Sequence, residues 1–188
     1  MRQPYRGEDS VLEISPPRPW QTALGETSCR QYYRKLAAGV AVVTANGSAG
    51  WSGTTVSTVT SVSLDPPIVL FCVARGSRTL AAIRYAGSLA IHLLADDQFD
   101  LADRFSRSPS DSSRFAELGR RVSLIDGIPV IADALAVGRC QLHSLHEVGD
   151  HVVIYGELSA VQVGQGRPML WHERQYQMLA PPAGGASI

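Results

Sequence analysis

Hydrophobic and polar positions change in short runs along most of this chain, which is typical of a protein built from β-strands. β-Branched and aromatic residues are concentrated in these runs, and glycine, proline, asparagine and aspartate separate them. Regular alternation of strands with helices is absent, which disfavours a doubly wound parallel sheet. We therefore expect a mainly β fold, a closed antiparallel barrel with a few short decorating helices. The strand candidates are "VAVVTA", a return strand beginning near Trp51, "PIVLFCVA", "SLAIHLL", "ALAVGRCQLHSLHEV" and "HVVIYGELSAVQVG".

Three segments have the spacing of apolar residues that predicts a helix. The first is "SCRQYYRKLAAG", in which Ser28 is the candidate N-cap and Gly39 the C-terminal stop. The second, "SRTLAAIRYAG", places apolar residues on one face, and the third, "DDQFDLADRFS", opens with acidic residues, which the helix dipole favours. The Asn46-Gly47 pair after "VAVVTA" predicts a hairpin turn.

The chain has 188 residues, 45% of them hydrophobic, which is enough for one folded domain with its own core. Residues 1–27 mix proline, glycine and charge without periodicity, so we expect a flexible N-terminal tail. The folded domain is predicted to cover residues 28–180. Residues 181–188 are predicted to form a flexible C-terminal tail.

Charge and cysteine content exclude several kinds of partner. Acidic and basic residues balance at 17 each, so no strong field recruits nucleic acid or an anionic membrane surface. Cys29, Cys72 and Cys140 are far apart in sequence, which indicates neither a zinc site nor a redox dithiol. The sequence shows no signal-like amino terminus and no apolar run of membrane-spanning length. We expect a soluble protein in a reducing, cytoplasmic setting.

The common catalytic and nucleotide-binding motifs do not occur in the sequence. His143 and His146 are three residues apart on a predicted strand, so they face opposite sides and no metal site is predicted. No GxSxG nucleophile turn is present, and neither a GxGxxG nor a GxxxxGK[ST] pattern occurs. A nucleotide, if bound, is held in another way.

The stretch "GTTVSTVTSVSLDPPIVLF", residues 53–71, carries hydroxyl groups where a strand is expected to bury apolar side chains. Shortly after it, "RGSRT" places a serine, an arginine and a threonine at the start of a predicted helix. Hydroxyls, a cation and an amide-lined helix N-terminus together suit a phosphate group. The residues alone leave a second interpretation open, in which Ser77 is only an N-cap and the hydroxyl-rich strand faces solvent.

Five segments in order resemble the short-chain flavin reductase family, over roughly Gln31 to Leu179. The resemblance implies an FMN-binding split barrel, that is, an antiparallel split β-barrel with few helices. It also implies a homodimer with flavin near the subunit interface, and a reductase that serves a separate flavin-dependent monooxygenase. The segments are "GTTVSTVTSVSLDPPIVLF", "SRTLAAI", "GSLAIHLLADDQFDLADRFS", "GDHVVIYGELSAV" and "RPMLWHERQYQML".

The resemblance implies which residues bind the flavin. Small hydroxyls and backbone amides suit the polar rim of an isoalloxazine ring without crowding its apolar face. His92 stands where the family commonly has asparagine, and a neutral histidine also offers one donor and one acceptor. The implied flavin-binding residues are Thr54, Thr55, Val56 and Ser57, then Ser61, Val62 and Ser63, the phosphate turn Ser77, Arg78 and Thr79, His92, and Phe105 and Arg114 near the cofactor or its entrance.

By the same resemblance, His151 in "GDH" lies beside the nicotinamide, and Tyr176 lies close to the same pocket. His151 is the implied catalytic residue, acting by positioning, because hydride transfer itself needs no general acid or base. The expected reaction is that of an NAD(P)H:flavin oxidoreductase with FMN or FAD as acceptor. Both NADH and NADPH are possible donors, and NADH is favoured because no cluster for a 2′-phosphate stands out.

Two other functions stay open at this point. A flavin-binding carrier or redox sensor without reductase turnover would use the same barrel. A flavin-independent interaction barrel would leave the hydroxyl-rich strand exposed to solvent.

Overall fold

The computed structural model describes residues 19–20, 22–107 and 112–180, and these divide into two units after Tyr33. The first unit contains helix α1, Glu26–Tyr33. On its exposed surface Arg30 Nε donates to Glu26 Oε1 at 2.8 Å, a pair four residues apart. Most of the predicted N-terminal tail, and all of the predicted C-terminal tail, lie outside the described residues.

Helix α1 begins and ends earlier than the sequence predicts. It starts at Glu26, before the predicted N-cap Ser28, and it ends at Tyr33. The prediction that it continues to Gly39 is wrong, because Gly39 pairs with Leu170 in a short strand, β1, Ala38–Gly39. Strand pairing with a segment distant in sequence overrides the local helical spacing.

The second unit consists mainly of antiparallel β-strands with a few helices, which confirms the fold class at this level. None of the helices within the described ranges is long and apolar enough to cross a membrane. The α-helices of this unit are α2 Arg78–Ala86, α3 Phe99–Ser106 and α4 Ser113–Ala116, and a short 3-10 helix spans Gly119–Arg121. After β1, the strands are β2 Ala41–Gly47, β3 Gly50–Val56, β4 Thr60–Leu64, β5 Pro67–Ala74, β6 Ser88–Leu93, β7 Val122–Ile125, β8 Ile128–Ile131, β9 Ala136–Val148, β10 His151–Val163, β11 Met169–His172 and β12 Gln175–Met178.

The largest sheet has seven strands in the order β3-β2-β6-β9-β10-β5-β4. Its longest pairing is the hairpin of β9 and β10, which turns between Val148 and His151. Strand β5 pairs with the other side of β10 and places Ala74 opposite His151. A three-stranded sheet, β1-β11-β12, and the hairpin of β7 and β8 complete the described strands.

The first hairpin of the large sheet turns two residues later than predicted. Asn46 still pairs with Trp51, and Gly47 pairs with Gly50, so the turn is made by residues 48 and 49. Gly47 instead allows close packing, since a Cβ atom there would lie 2.8 Å from Ala82 Cα in α2. The hairpin was predicted correctly, while its glycine serves the contact with a helix and not the turn.

Strand β2 is buried on both faces, and its residues alternate between two apolar clusters. Val43 belongs to a cluster that includes Ile83 of α2, and Val42 to a cluster that includes Leu101 and Phe105 of α3. The two helices therefore cover opposite faces of β2. Strand β3, paired with β2, is held in a fixed position between them, and this position sets the geometry of the site described next.

Candidate functional site

Two clefts meet at the end of β3, in the stretch where the sequence places many hydroxyl groups. The first cleft has a volume of about 320 Å³ and the second about 190 Å³. Thr55, Val56 and Ser57 line both of them. The end of this one strand is therefore a wall that the two clefts share.

The first cleft brings together predicted site residues from three separate parts of the sequence. Thr54, Ser77 and His151 line it along with the shared residues of β3. Strand pairing explains this proximity, because His151 lies opposite Ala74 at the end of β5, and α2 follows β5 directly. The lining is completed by residues that the sequence did not single out, Thr58, Cys72, Val73 and Ala74.

The predicted phosphate turn is the first turn of α2. The Ser77 hydroxyl caps this helix and accepts a hydrogen bond from the Thr79 backbone N–H at 3.2 Å. Ser77 nevertheless lines the first cleft, so the N-cap role does not remove it from the site. Thr79 is fully buried and its hydroxyl lies 3.0 Å from Ser52 Oγ. This hydroxyl therefore joins α2 to β3, and the place of Thr79 in a phosphate-binding turn stays a prediction.

His151 stands at the start of β10, after the turn formed by Gly149 and Asp150. Gly149 has a φ of +58°, a conformation that glycine adopts without strain. His151 Nδ1 lies 2.8 Å from Asp150 Oδ1, and this hydrogen bond holds the pKa of the Asp150 carboxyl below its usual range. Since a carboxylate only accepts, Nδ1 carries the hydrogen and Nε2 is left for another partner.

The second cleft has an aromatic wall from the last two strands. Trp171 of β11 and Tyr176 of β12 line it, with ring centroids 5.0 Å apart. Phe99 of α3 packs against Tyr176 at 5.9 Å. Burial raises the pKa of the Tyr176 hydroxyl, which therefore stays a neutral hydrogen-bonding group. Thr55 Oγ1 donates to the Ala102 carbonyl at 2.7 Å and fixes β3 against α3.

Trp171 was not predicted as a site residue, although the sequence carries a signal for it. The runs "MLWH" and "QYQM" are two short strands separated by two residues, the spacing of a tight hairpin. Recognising this hairpin would have placed Trp171 opposite Tyr176. The second cleft is completed by Val40 and Ser106.

Ser61 and Ser63 line neither of these clefts. They lie on β4, an edge strand, and line a separate concavity of about 500 Å³ that we call the apolar groove. Exposed apolar side chains surround it, including Leu64, which is 93% exposed, and Val163. Val62, on the same strand, is half-exposed. Within a single chain, β4 therefore does not line the two clefts that share the end of β3.

Phe105 and Arg114 are buried and do not line either cleft. The Phe105 ring packs edge-to-face against Phe115 at 5.1 Å. It also fills the space over Gly53, where a Cβ atom would lie 2.8 Å from the ring. The Phe105 ring therefore supports β3 from behind, and its place near the cofactor or its entrance stays a prediction.

His92 is fully buried in β6, away from the clefts. Its Nε2 accepts from the Ile131 N–H at 3.0 Å, and its Nδ1 lies 2.9 Å from the Val42 carbonyl oxygen. Both ring nitrogens are thus used inside the protein, and burial lowers the pKa of His92 to about 4. The imidazole is thus a neutral crosslink between strands, and a flavin contact at His92 stays a prediction that only the backbone is free to make.

Metal chemistry has no candidate centre in the part of the chain that the structure describes. No group of three or more histidine, cysteine, aspartate or glutamate side chains there is placed to hold a metal ion. The histidine of the first cleft, His151, has the Asp150 carboxylate as its neighbour, and the cleft lining adds one cysteine, Cys72.

The two clefts suit a flat heterocycle with an apolar face and a polar rim. Val56 and the Trp171 ring offer apolar surface, while Thr54 and Ser57 offer small hydroxyl groups. A phosphate attached to such a ring would find Ser77 at a helix N-terminus whose first turn carries no acidic residue. The geometry therefore fits a flavin nucleotide.

A family model described as "Flavin reductase like domain" matches residues 33–180. A probable flavin reductase of Rhizobium meliloti (strain 1021) is 38% identical over 153 residues and covers 81% of this chain, which spans 45% of the length of that protein. The NADH:FMN oxidoreductase of Rhodococcus erythropolis is 34% identical over 176 residues, or 91% of each chain. HsaB, a reductase subunit of a flavin-dependent monooxygenase from Rhodococcus jostii (strain RHA1), is 32% identical over 93% of this chain and 85% of its own.

The fold is also similar to that of a solved enzyme. The NADH:FAD oxidoreductase SgcE6 of Streptomyces globisporus C-1027, determined in complex with NAD and FAD fragments, superposes with a TM-score of 0.77. The two chains are 30% identical, and the match covers 84% of this chain and 94% of the other.

Proposed function

This chain belongs to the flavin reductase-like family, and on that basis we propose that it is an NAD(P)H:flavin oxidoreductase. It takes hydride from NADH or NADPH, transfers it to FMN or FAD, and supplies the reduced flavin to a separate flavin-dependent monooxygenase. The names of its relatives support NADH as the donor, FMN as the acceptor and a monooxygenase as the partner, since they include an NADH:FMN oxidoreductase and the reductase subunit of a monooxygenase.

The observation that carries this proposal is the pair of clefts that share the end of β3. One contains the hydroxyl of Ser77 and the imidazole of His151, and the other the rings of Trp171 and Tyr176. Two ring systems that exchange a hydride must lie against each other, and a common wall brings their sites together. The flavin and the nicotinamide supply the redox chemistry themselves when bound.

The chain's own residues act by holding these groups in place. Thr54 and Ser57 bind the polar rim of the flavin, and Ser77 with the amides of α2 binds its phosphate. His151 contacts the nicotinamide carboxamide through Nε2, because Asp150 occupies Nδ1 at 2.8 Å. This role is one of orientation, so we expect it to govern the reaction with the reductant and not the affinity for flavin.

The reductase assay tests the function and the role of His151 together. Purified protein should accelerate NADH oxidation when FMN or FAD is added. His151→Ala is expected to lower kcat/KM for NADH about ten-fold, since it removes one hydrogen bond to the reductant. The Kd for flavin, measured by fluorescence quenching, should change less than about two-fold, because Thr54, Ser57 and Ser77, which are assigned to the flavin, remain in place.

His146→Ala is the matched control, since His146 is an exposed histidine of the same hairpin and lines neither cleft. Flavin that is retained without any oxidation of NADH or NADPH would identify a carrier or sensor. A protein with no affinity for flavin would contradict the proposal altogether.

We also propose that the large sheet closes into a split barrel, with residues 28–180 as the domain and residues 1–27 and 181–188 as flexible tails. Thr58, just after β3, supports closure because its hydroxyl accepts from the Cys72 N–H of β5 at 2.8 Å. The first cleft, lined by residues of both β3 and β5, supports it as well.

The apolar groove supports the further proposal of a homodimer. Leu64, Val161 and Val163 are 93%, 66% and 76% exposed along it, which is unusual for a face that stays in water. A second copy of the chain would cover these side chains in a symmetric contact. The hydroxyls of Ser61 and Ser63, which line the same groove, would then lie at the interface, where the family's flavin is expected.

Light scattering after gel filtration should give wild-type protein a mass of twice the 20.2 kDa chain. Leu64→Asp is expected to shift the population to monomer, because it buries a carboxylate in the contact. Leu124→Asp is the matched control, since Leu124 is 54% exposed on β7, away from the groove. A wild-type monomer throughout the micromolar range would contradict the dimer.

A further inference from the structure

The hairpin that carries His151 is attached to α2 by a carboxylate. Glu147 lies near the end of β9, opposite Val152 of β10. Its Oε1 accepts from Arg84 Nη2, in the last turn of α2, at 3.1 Å, and its Oε2 lies 3.5 Å from Nη2 of Arg75, shortly before the helix. One carboxylate therefore joins the hairpin of β9 and β10 to both ends of this helical segment.

The backbone makes a second connection at the same place. The Arg75 N–H donates to the Asp150 carbonyl oxygen at 3.1 Å, and Ala74 pairs with His151. Ser77, which caps α2 and lines the first cleft, follows Arg75 after one glycine. The position of His151 relative to Ser77 is therefore set where the hairpin meets Arg75.

Glu147 reaches α2 from one face of the hairpin, and His151 stands on the other. Val152, the partner of Glu147 across the ladder, is buried in the apolar cluster that includes Ile83 of α2. Residues paired across two strands share a face, and neighbouring residues of one strand point to opposite faces. The carboxylate therefore acts on the His151 imidazole by fixing the backbone of the turn between them.

Arg75 lies close to two carboxylates, those of Glu147 and Asp150. The hydrogen bond with His151 is the main cause of the lowered pKa of the Asp150 carboxyl, and the positive charge of Arg75 contributes to it. A guanidinium that lost Glu147 would compete for the Asp150 oxygen that lies 2.8 Å from His151 Nδ1. Glu147 thus pairs with Arg75 and leaves Asp150 to the imidazole.

We propose that Glu147 is a positioning residue for hydride transfer, which holds the turn of His151 against α2 and keeps Arg75 away from Asp150. This inference rests on the proposed function, in which His151 orients the nicotinamide. The Glu147 side chain is 55% exposed, and exposed ion pairs contribute little to the stability of a fold. Its effect therefore lies in the placement of His151, because a small displacement of an orienting group lowers the rate strongly.

Glu147→Gln keeps the size of the side chain and removes its charge. We expect kcat/KM for NADH to fall about five-fold, less than for His151→Ala, since Glu147 acts through His151. In the His151→Ala background the same substitution should change kcat/KM less than about 1.5-fold. Glu157→Gln is the matched control, because Glu157 belongs to the same hairpin, is 47% exposed and lies 3.6 Å from His143.

Nitrogen NMR of the His151 ring gives a readout that does not depend on turnover. In Glu147→Gln the Nδ1 hydrogen should lose Asp150 as its acceptor and shift towards Nε2. Equal losses of kcat/KM in both backgrounds, an unchanged kcat/KM, or an unchanged His151 signal in folded Glu147→Gln would each overturn the inference. Wild-type protein that oxidises no NADH would instead contradict the proposed function, and the NMR signal alone would then decide whether Glu147 places His151.

Discussion

Tryptophan in place of Ser57 is expected to raise the Kd for FMN by about 100-fold, because an indole overfills a site built for a small hydroxyl. Ser57 directly follows β3 and lines both clefts, so the ring would block whichever side the flavin occupies. The side chain is half-buried at the surface of the clefts and outside the apolar clusters, which leaves the fold intact. Fluorescence quenching measures the affinity, and thermal unfolding checks the fold.

Ser123→Trp is the matched control, since Ser123 is exposed on β7 and lines neither cleft. Ser61→Trp is expected to raise the Kd less than Ser57→Trp, because Ser61 lies in the apolar groove. Unchanged FMN affinity in a folded Ser57→Trp protein would contradict the flavin site and would support the alternative that the hydroxyl-rich strand only faces solvent.

Strands with clear chemical boundaries were predicted closely from the sequence. "PIVLFCVA" corresponds to β5, Pro67–Ala74, because a proline pair precedes the apolar run and Arg75-Gly76 follows it. The hydroxyl-rich stretch was predicted as the continuation of one strand, but it divides into β3 and β4. A run of serine, threonine and valine carries no local signal for this interruption, since all three residue types suit a strand.

The hairpin of β11 and β12 was not predicted, because its two turn residues are not of the types that are common in tight hairpin turns. Glu173 and Arg174 have φ values of 50° and 63°, a conformation in which glycine or asparagine is expected. Contacts elsewhere in the fold hold the turn, since the Glu173 N–H donates to the Arg34 carbonyl and its carboxylate pairs with Lys35. Such contacts between distant segments cannot be inferred from a local pattern.

In the candidate site too, local sequence patterns predicted some features, and contacts between distant segments decided the others. The resemblance to a known family predicted a set of site residues. Five of them line the two clefts, namely Thr54, Ser57, Ser77, His151 and Tyr176. Which way each side chain points depends on packing, and the sequence does not reveal it. The side chains of Thr79, Phe105 and His92 therefore turned out to be buried supports.

His92 is expected to make the protein less stable as the pH falls from 6.5 to about 4. The folded chain keeps this imidazole neutral, because burial lowers its pKa to about 4 and its Nε2 accepts from the Ile131 N–H. The unfolded chain binds the proton already near pH 6.5, so acid favours unfolding. The stability from this group is fully present above pH 6.5 and falls by about 3 kcal/mol across the window. Urea unfolding at pH values between about 4 and 7 measures this loss.

Two substitutions at this position separate titration from hydrogen bonding. His92→Asn keeps a donor and an acceptor but cannot titrate, so the dependence on pH in this window should become flatter by about 3 kcal/mol. His92→Leu should cost about 3 kcal/mol at neutral pH, since the Ile131 N–H and the Val42 carbonyl lose the imidazole as a partner in the interior. His143→Leu, at an exposed histidine of β9, should change the free energy of unfolding by less than about 0.5 kcal/mol. An identical pH dependence in wild type and His92→Asn would show that groups other than His92 cause the acid sensitivity.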